Sequence, residues 1–483
     1  MKYIKKLNSK VLFGTLALTI AFTSCKKDFL ELAPTQSISN TEAFTSEPKL
    51  QAAMTGIYDL LTNNAFTYNI ILNAEAKGED TYPNSTGNYN RFVAGYQYIE
   101  TVNNGELQSH WARGYSIIAN CNQLIENAPA APVPDAIKKR YIAEARTIRA
   151  YVHFQLVREF GEKSYVLDPE AMGVPVVEKS IGPTDEFPAR AKVKDVYASI
   201  LSDLLAAETN FPATVKDVYR INLSSIKAIQ ARVYMTMGNW AKASETAKAA
   251  RTGYTLSTAG ALLAGFRAPT PEWIWGLRST ADDNDFFLEV HSFYDPYDRG
   301  YSSFRVSKDL FASFANSDLR KNQFRIPATV GGDPTSGSYK LLGDGYLTSK
   351  FVFDGSGAND QLLIRASEMV LTEAEAEARI GGANELAAKS ALLLIQKRAD
   401  PAAALSLNTG TALLAEIMLE RRKELFGEGH RYYDILRSKQ SLVRTASAGH
   451  WSVLNIPAGD KKFALPIPQA EINANPKIVQ NPL

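Results

Sequence analysis

The chain has 483 residues, 45% hydrophobic and 22% charged, with 53 basic and 51 acidic side chains and two cysteines. Those fractions are those of an ordinary globular protein and exclude a disordered chain, a coiled coil or a disulfide-stapled miniature. A charge this close to balance, with no long run of one sign, also argues against a nucleic-acid partner.

Residues 1–24 carry Lys2, Lys5, Lys6 and Lys10 with no acid, then an apolar run from Val11 to Phe22, then Thr23-Ser24 ahead of Cys25. A positive head, a short apolar run and small residues at its end make an export signal. A spanning helix would need roughly 20 apolar residues. The cysteine directly after the small pair resembles the lipobox of bacterial lipoproteins, which implies that Cys25 is acylated and becomes the mature N-terminus. Phe22 stands where an aliphatic residue is usual, and an ordinary secretory signal with an incidental Cys25 is the alternative. Removing residues 1–24 takes away four lysines, so the mature balance is 49 basic against 51 acidic side chains. With Cys25 lipidated, Cys121 is the one remaining thiol and no internal disulfide can form. It lies in the helical stretch SIIANCNQLIENA, as a small buried hydrophobe.

Ser46 or Glu47-Pro48 opens a helix with Leu50, Met54, Ile57, Tyr58 and Leu61 at helical spacing. Residues 74–105 change character, alternating Gly, Asn, Ser and Pro with Tyr82, Tyr89, Phe92, Tyr96 and Tyr98. A long ordered loop of this kind more often serves binding than connection. A helix over about 108–127 and a stronger one over 136–161 follow, the latter with a second apolar face at Tyr151 and Phe154 that predicts packing on both sides. VPVV (174–177) is a short extended piece, and the next helix runs from about Val193 to Asn210.

Residues 224–251 read as two helices joined at Gly238-Asn239, and their small-residue pattern resembles a tetratricopeptide unit. A second pair spans 366–398, turning at Gly381-Gly382 with Asn384 as N-cap; 108–161 and 193–251 could supply the other units. Between the clear pairs, 253–364 is a non-repeat insertion. It opens with the buried-strand pattern PEWIWGLRST and concentrates Phe286, Phe287, Phe293, Tyr294, Tyr297 and Tyr301 among Asp, Asn, Ser and Gly. It then reads as hairpins broken by turn dipeptides. The expected layout is a signal at 1–24, a helical region at 25–252 and a region at 253–483 holding the insertion and closing helices.

AEARTIRAYVHFQLVREFG (143–161), RASEMVLTEAEAEA (365–378), ERRKELFGEGHRYYDILR (420–437) and FALPIPQAEINANPKIVQNP (463–482) follow the lipobox in order. Motif by motif, the chain resembles the SusD/RagB family of surface lipoproteins of Bacteroidota; the terminal QNPL lacks the Gly-Tyr often found there. The resemblance implies a mainly α fold, with tetratricopeptide-like helical repeats packed against an irregular, loop-rich region with a few short strands. It further implies a protein lipid-anchored in the outer membrane and facing the exterior. Such a protein sits as a lid on a SusC-type TonB-dependent transporter and passes it an oligosaccharide or, in some members, a peptide. It implies neither catalysis nor a cofactor.

Read by themselves, Glu420 and Glu424 could be a catalytic carboxylate pair, but flanking arginines favour a salt-bridged network. Glu373, Glu375 and Glu377 are expected to be solvated. His110, His153, His291, His430 and His450 lack metal-ligand spacing, and no HExxH, GxSxG or P-loop occurs. Trp111, Trp240, Trp273 and Trp275 fall inside helical or strand patterns and read as core, while Trp451 is undecided. Sugar rings pack apolar C–H faces on aromatic planes while polar groups take their hydroxyls. In the family the ligand surface is built largely from two irregular regions, which correspond here to about 78–100 and 281–302. The expected ligand contacts are Tyr82, Tyr89 and Tyr96 with Asn84 and Asn88, and Tyr294, Tyr297 and Tyr301 with Asp295. A glycan-capture subunit is the leading reading. Its rivals are a peptide-binding subunit, a glycoside hydrolase on an α-helical scaffold, and a repeat scaffold with only a protein partner.

Overall fold

The computed structural model of the chain describes residues 44–482 apart from 183, 213–214 and 328–336. The expected signal and Cys25 lie outside the described residues. The chain leads in with α1 (Glu47–Thr62), α2 (Thr67–Lys77), strand β1 (Thr81–Pro83) and α3 (Val93–Gln97). Five longer helices follow: α4 (Gly105–Asn127), α5 (Asp135–Phe160), α6 (Val193–Asn210), α7 (Leu223–Met237) and α8 (Trp240–Arg251). An irregular stretch then holds α9 (Ala259–Leu262), β2 (Trp273–Leu277), α10 (Val290–Tyr294), β3 (Phe304–Val306) and α11 (Lys308–Ala312). Within it, too, are the short strands β4 (Arg325–Ile326), β5 (Ser338–Tyr339), β6 (Leu341–Leu342) and β7 (Gly345–Tyr346), and then β8 (Gln361–Arg365). Helices α12 (Ala366–Ile380), α13 (Glu385–Ala399), α14 (Gly410–Leu425) and α15 (Arg431–Arg437) follow. Strands β9 (Leu442–Arg444) and β10 (Leu454–Ile456) and helix α16 (Gln469–Ala474) come last.

The longer helices stack in order, α4 on α5, α5 on α6, α6 on α7 and α7 on α8. The series then passes over the irregular stretch, because α12 packs along α8 and both α13 and α14 pack on α12. Local sequence explains the turns. Asn222 and Ser225 close a capping box at the start of α7, Gly238 ends that helix at φ +75°, and the Asn239 side chain accepts from Lys242 N to open α8. The α12–α13 turn does use Gly381 and Gly382, at φ +76° and +59°. Asn384 holds the expected N-cap position of α13, but its backbone is already helical and its side chain donates to the Gly381 carbonyl at 3.4 Å instead of capping the helix. Helix α5 buries Ile148, Val152 and Leu156 as well as Tyr151 and Phe154, being held between α4 and α6. Cys121, Trp111, Trp273 and Trp275 are buried as expected, whereas Trp240 is only half-buried.

Strand pairing ties the irregular stretch to the front of the chain. β1 runs antiparallel to β3 with Tyr82 opposite Arg305, in a four-stranded sheet of order β1-β3-β7-β6. β2 pairs with β8, and its register shifts on both sides of Trp275. Gly276 permits that shift, since a Cβ there would stand 2.9 Å from the Trp273 ring and 3.0 Å from the Gln361 carbonyl.

The motif ERRKELFGEGHRYYDILR anchors a charged core. Arg365, 1% exposed, donates to Glu272 at 2.7 Å, to Glu424 at 2.6 Å and to Glu428 at 2.8 Å. Arg320 bonds Asp318, Glu420 and Glu424. Burial works against the Glu272 charge, but Arg365 and Arg398 outweigh it and hold the carboxyl down to about 2. Glu420 and Glu424 are therefore a paired network and not a catalytic dyad. The expected solvated face of α12 is corrected outright. Glu373, Glu375 and Glu377 are all buried, paired respectively with Arg251, with Arg437 and Arg379, and with Lys248 and Ser244. Helices α8, α13 and α14 all pack on α12, so its acidic face meets partner helices rather than water. Among the described residues, no helix is long and apolar enough to cross a membrane.

Candidate ligand-binding site

The two aromatic-rich loops, far apart in sequence, meet at the β1–β3 ladder. Just beyond it the Asn84 amide donates to the Ser303 carbonyl at 2.8 Å. Past that point both chains turn outward and place rings against one another. The Tyr89 and Tyr301 rings are 5.5 Å apart, Phe287 lies 5.8 Å from Tyr301, and Phe286 lies 4.1 Å from Phe287. Phe353, buried, supports both phenylalanines from below at 5.8 and 5.6 Å. Tyr89 is 77% exposed, Phe286 42% and Phe287 37%, so these rings form an open apolar plate. Phe293 and Phe92 lie behind the plate, Phe293 against Tyr301 and Phe92 against Phe293.

Polar groups rim the plate. The Arg91 guanidinium sits 5.2 Å over the Tyr301 ring, and its buried Nε–H has no acceptor among the described residues. At the other end, Asp285 accepts from the Asn64 amide at 3.4 Å, and burial, with Asp283 and Asp59 adding to it, lifts its carboxyl to about 6. Behind it Glu289 is fully buried, accepts from Asn359, and is pushed up by burial to about 9, so it is neutral at pH 7. A flat stacking surface with hydrogen-bonding edges can hold a ligand having one apolar face and a polar rim. Among the described residues, no group of three or more His, Cys, Asp or Glu side chains could hold a metal ion.

The structure sorts the expected contacts into a surface set and an interior set. Tyr89 and Tyr301 belong to the plate; Tyr297 is half-buried beside it, stacked with Arg299 at 4.9 Å. Tyr82, Tyr96 and Tyr294 are interior, at 2%, 0% and 1% exposure. Tyr96 contacts His450 Nδ1 at 3.0 Å, Tyr294 donates to Thr81 Oγ1 at 2.9 Å, and Tyr82 stacks on Tyr96 and lies tilted against His450. Asp295, also fully buried, accepts from the Tyr297, Arg299 and Phe353 amides and from the Arg299 side chain, which makes it the organiser of its loop. Asn88 is buried too, its Oδ1 taking the Asn90 amide at 2.8 Å and its Nδ2 bonding the Asn84 carbonyl. Asn84 is partly buried, and its side-chain oxygen has no partner among the described residues. In this structure the interior set supports the plate without reaching its surface.

Sequence reasoning missed Phe286, Phe287 and Arg91 as site residues. The signal for the first two was present: two adjacent phenylalanines directly follow the polar run DDND, where a surface turn is expected. For Arg91 it was a lone cation within an aromatic loop.

Comparisons with known proteins agree with this architecture. Residues 28–235 match the family described as "Starch-binding associating with outer membrane", and residues 332–483 match the SusD family. SusD-like protein P2 of Formosa agariphila is 24% identical over 522 residues, covering 98% of both chains. A SusD-like protein of Bacteroides ovatus is 29% identical over 242 residues, spanning 48% of this chain but only 40% of that one. Among solved structures, a SusD superfamily protein of Bacteroides thetaiotaomicron superposes with a TM-score of 0.82 at 25% identity, covering 91% of this chain and 100% of that one. A SusD-like carbohydrate binding protein of Bacteroides vulgatus gives 0.78 at 25% identity, covering 90% and 98%.

Proposed function

The chain belongs to the SusD/RagB family, and from that premise we propose that it captures an oligosaccharide on the plate of Tyr89, Tyr301, Phe286 and Phe287 and delivers it, uncleaved, to a SusC-type TonB-dependent transporter. The observation that carries the reading is the convergence of two loops into one exposed, ring-lined surface. Each pyranose offers an apolar C–H face to such rings, and Arg91, Asn64 and Asp285 stand at the edges where hydroxyls would lie. A carbohydrate-binding neighbour of the same fold supports the ligand class.

Association with the outer membrane follows from the matched family description. The finer proposal is a lipid anchor at Cys25, which holds the protein on the exterior face beside its transporter. Several acyl chains on one residue anchor stably, since each buried methylene contributes about 0.8 kcal/mol. Incorporation of labelled palmitate, lost in Cys25→Ala, is the expected result; incorporation retained in that variant contradicts the anchor.

Titration calorimetry against a panel of oligosaccharides and peptides, with chromatography of the sugars afterwards, tests the ligand reading. At least one oligosaccharide should bind and be recovered intact. Peptide binding with no sugar bound moves the assignment to peptide capture, and shortened products move it to a hydrolase.

A further inference from the structure

A second cleft, of about 270 Å³, opens beside α9 and is built differently from the plate. Phe266, Trp273, Pro269 and the alanines at 261, 264 and 268 line most of it, Ser257, Thr270 and Arg365, the last already held by Glu272, Glu424 and Glu428, complete it, and Arg267 stands at its mouth. Its volume is roughly nine water volumes, enough for a small ring or short aliphatic chain. Arg267 is exposed, and its guanidinium makes no hydrogen bond or ion pair among the described residues.

The turn that presents Arg267 is strained and fixed. Gly265 and Phe266 are both left-handed, at φ +89° and +51°. Three consecutive carbonyls are each held by a different segment. Gly265 O takes the Val352 amide at 3.3 Å, Phe266 O contacts His291 Nε2 at 3.0 Å, and Arg267 O takes the Asp360 amide at 3.0 Å. A phenylalanine in the left-handed region persists only where its surroundings over-determine it. Here the result is a rigid turn that buries the Phe266 ring in the cleft wall and leaves the next side chain free at the rim.

We propose that this cleft is a second binding site, for a small apolar monocarboxylate whose body packs on Phe266 and Trp273 and whose carboxylate pairs with Arg267. A planar guanidinium suits a carboxylate in two-point contact. The cleft shares no lining residue with the plate.

Benzoate and hexanoate, with benzyl alcohol as the uncharged control, test the proposal by calorimetry and ligand-observed NMR on the purified protein. Benzoate or hexanoate should bind with a Kd at or below about 1 mM. Arg267→Gln should weaken that binding at least tenfold, Arg267→Lys should restore part of it, and Ala264→Leu, which fills the cleft, should abolish it. Tyr301→Ala should leave it unchanged. The proposal is overturned if neither acid binds, if Arg267→Gln binds as tightly as the parent, or if benzyl alcohol binds as tightly as benzoate.

Discussion

Tyr89 and Tyr301 meet edge to face, their centroids 5.5 Å apart and their planes at 64°, although they come from opposite halves of the chain. The contact depends on strain. Tyr89, Asn90, Phe92 and Tyr98 in the first loop, and Phe286, Asp298 and Ser302 in the second, all have positive φ. Outside these loops only Phe266 and Lys439 share that conformation among the described non-glycine residues. Such backbone costs about 1–3 kcal/mol per residue and tends to gather where a surface must be preorganised. The buried tyrosines and Asp295 are what hold the strained loops in place.

Tyr294→Phe separates support from contact. It removes the bond to Thr81 Oγ1, which itself donates to Glu75 at 2.8 Å. Thermal unfolding should show a loss of about 1 kcal/mol, with oligosaccharide affinity unchanged. A loss of affinity at unchanged stability would instead put Tyr294 at the ligand.

Arg365→Met should be severe. It takes away the cation that Glu272, Glu424 and Glu428 share, leaving them to Arg398, Arg320 and Lys350 alone. Breaking a buried network on one side costs about 3–5 kcal/mol, readable as a lower urea midpoint. A loss below about 1 kcal/mol would show the network to be dispensable.

Glu289 gives stability a pH slope. Burial, reinforced by Asp354, Asp285 and Asp360, raises its folded pKa to about 9 against an ordinary 4.5, while Asn359 opposes the shift. The fold therefore favours the protonated form, and its stability falls as pH rises from about 4.5 towards 9. At pH 7 the penalty is about 3 kcal/mol. Glu289→Gln keeps the protonated shape at every pH, so its melting temperature should exceed that of the parent increasingly between pH 5 and 8.5. Parallel profiles for the two proteins would contradict the assignment.

Gly427→Ala tests the turn before α15. Gly427 sits at φ +79°, and a Cβ there would lie 2.5 Å from the Phe351 ring. Overpacking and backbone strain together should cost about 2 kcal/mol or more, seen in the melting temperature. An unchanged melting temperature would mean that the turn relaxes freely.

Much of the fold was legible because its signals are local. Gly238-Asn239 carries a left-handed stop and an N-cap within two residues, so the α7–α8 pair could be placed from sequence alone. The burial of Glu373, Glu375 and Glu377 was not, since it depends on cations carried by α8 and α15 as well as α12. The site was half legible. Composition marked both loops, but Tyr82 and Tyr89 share one loop and face opposite ways because β1 draws Tyr82 under β3. A three-residue ladder between distant segments leaves no periodicity to read, so the sequence could not rank the two.

Capture of the ligand by the Tyr89–Tyr301 plate is open to direct measurement. The most direct measurement is the affinity of the best-binding oligosaccharide for the parent and for the double variant Tyr89→Ala, Tyr301→Ala, with melting temperature as the control. Affinity should fall at least tenfold, about 1.4 kcal/mol, with thermal stability little changed because Tyr89 is 77% exposed and Tyr301 is only partly buried. Unchanged affinity in a folded double variant would contradict it.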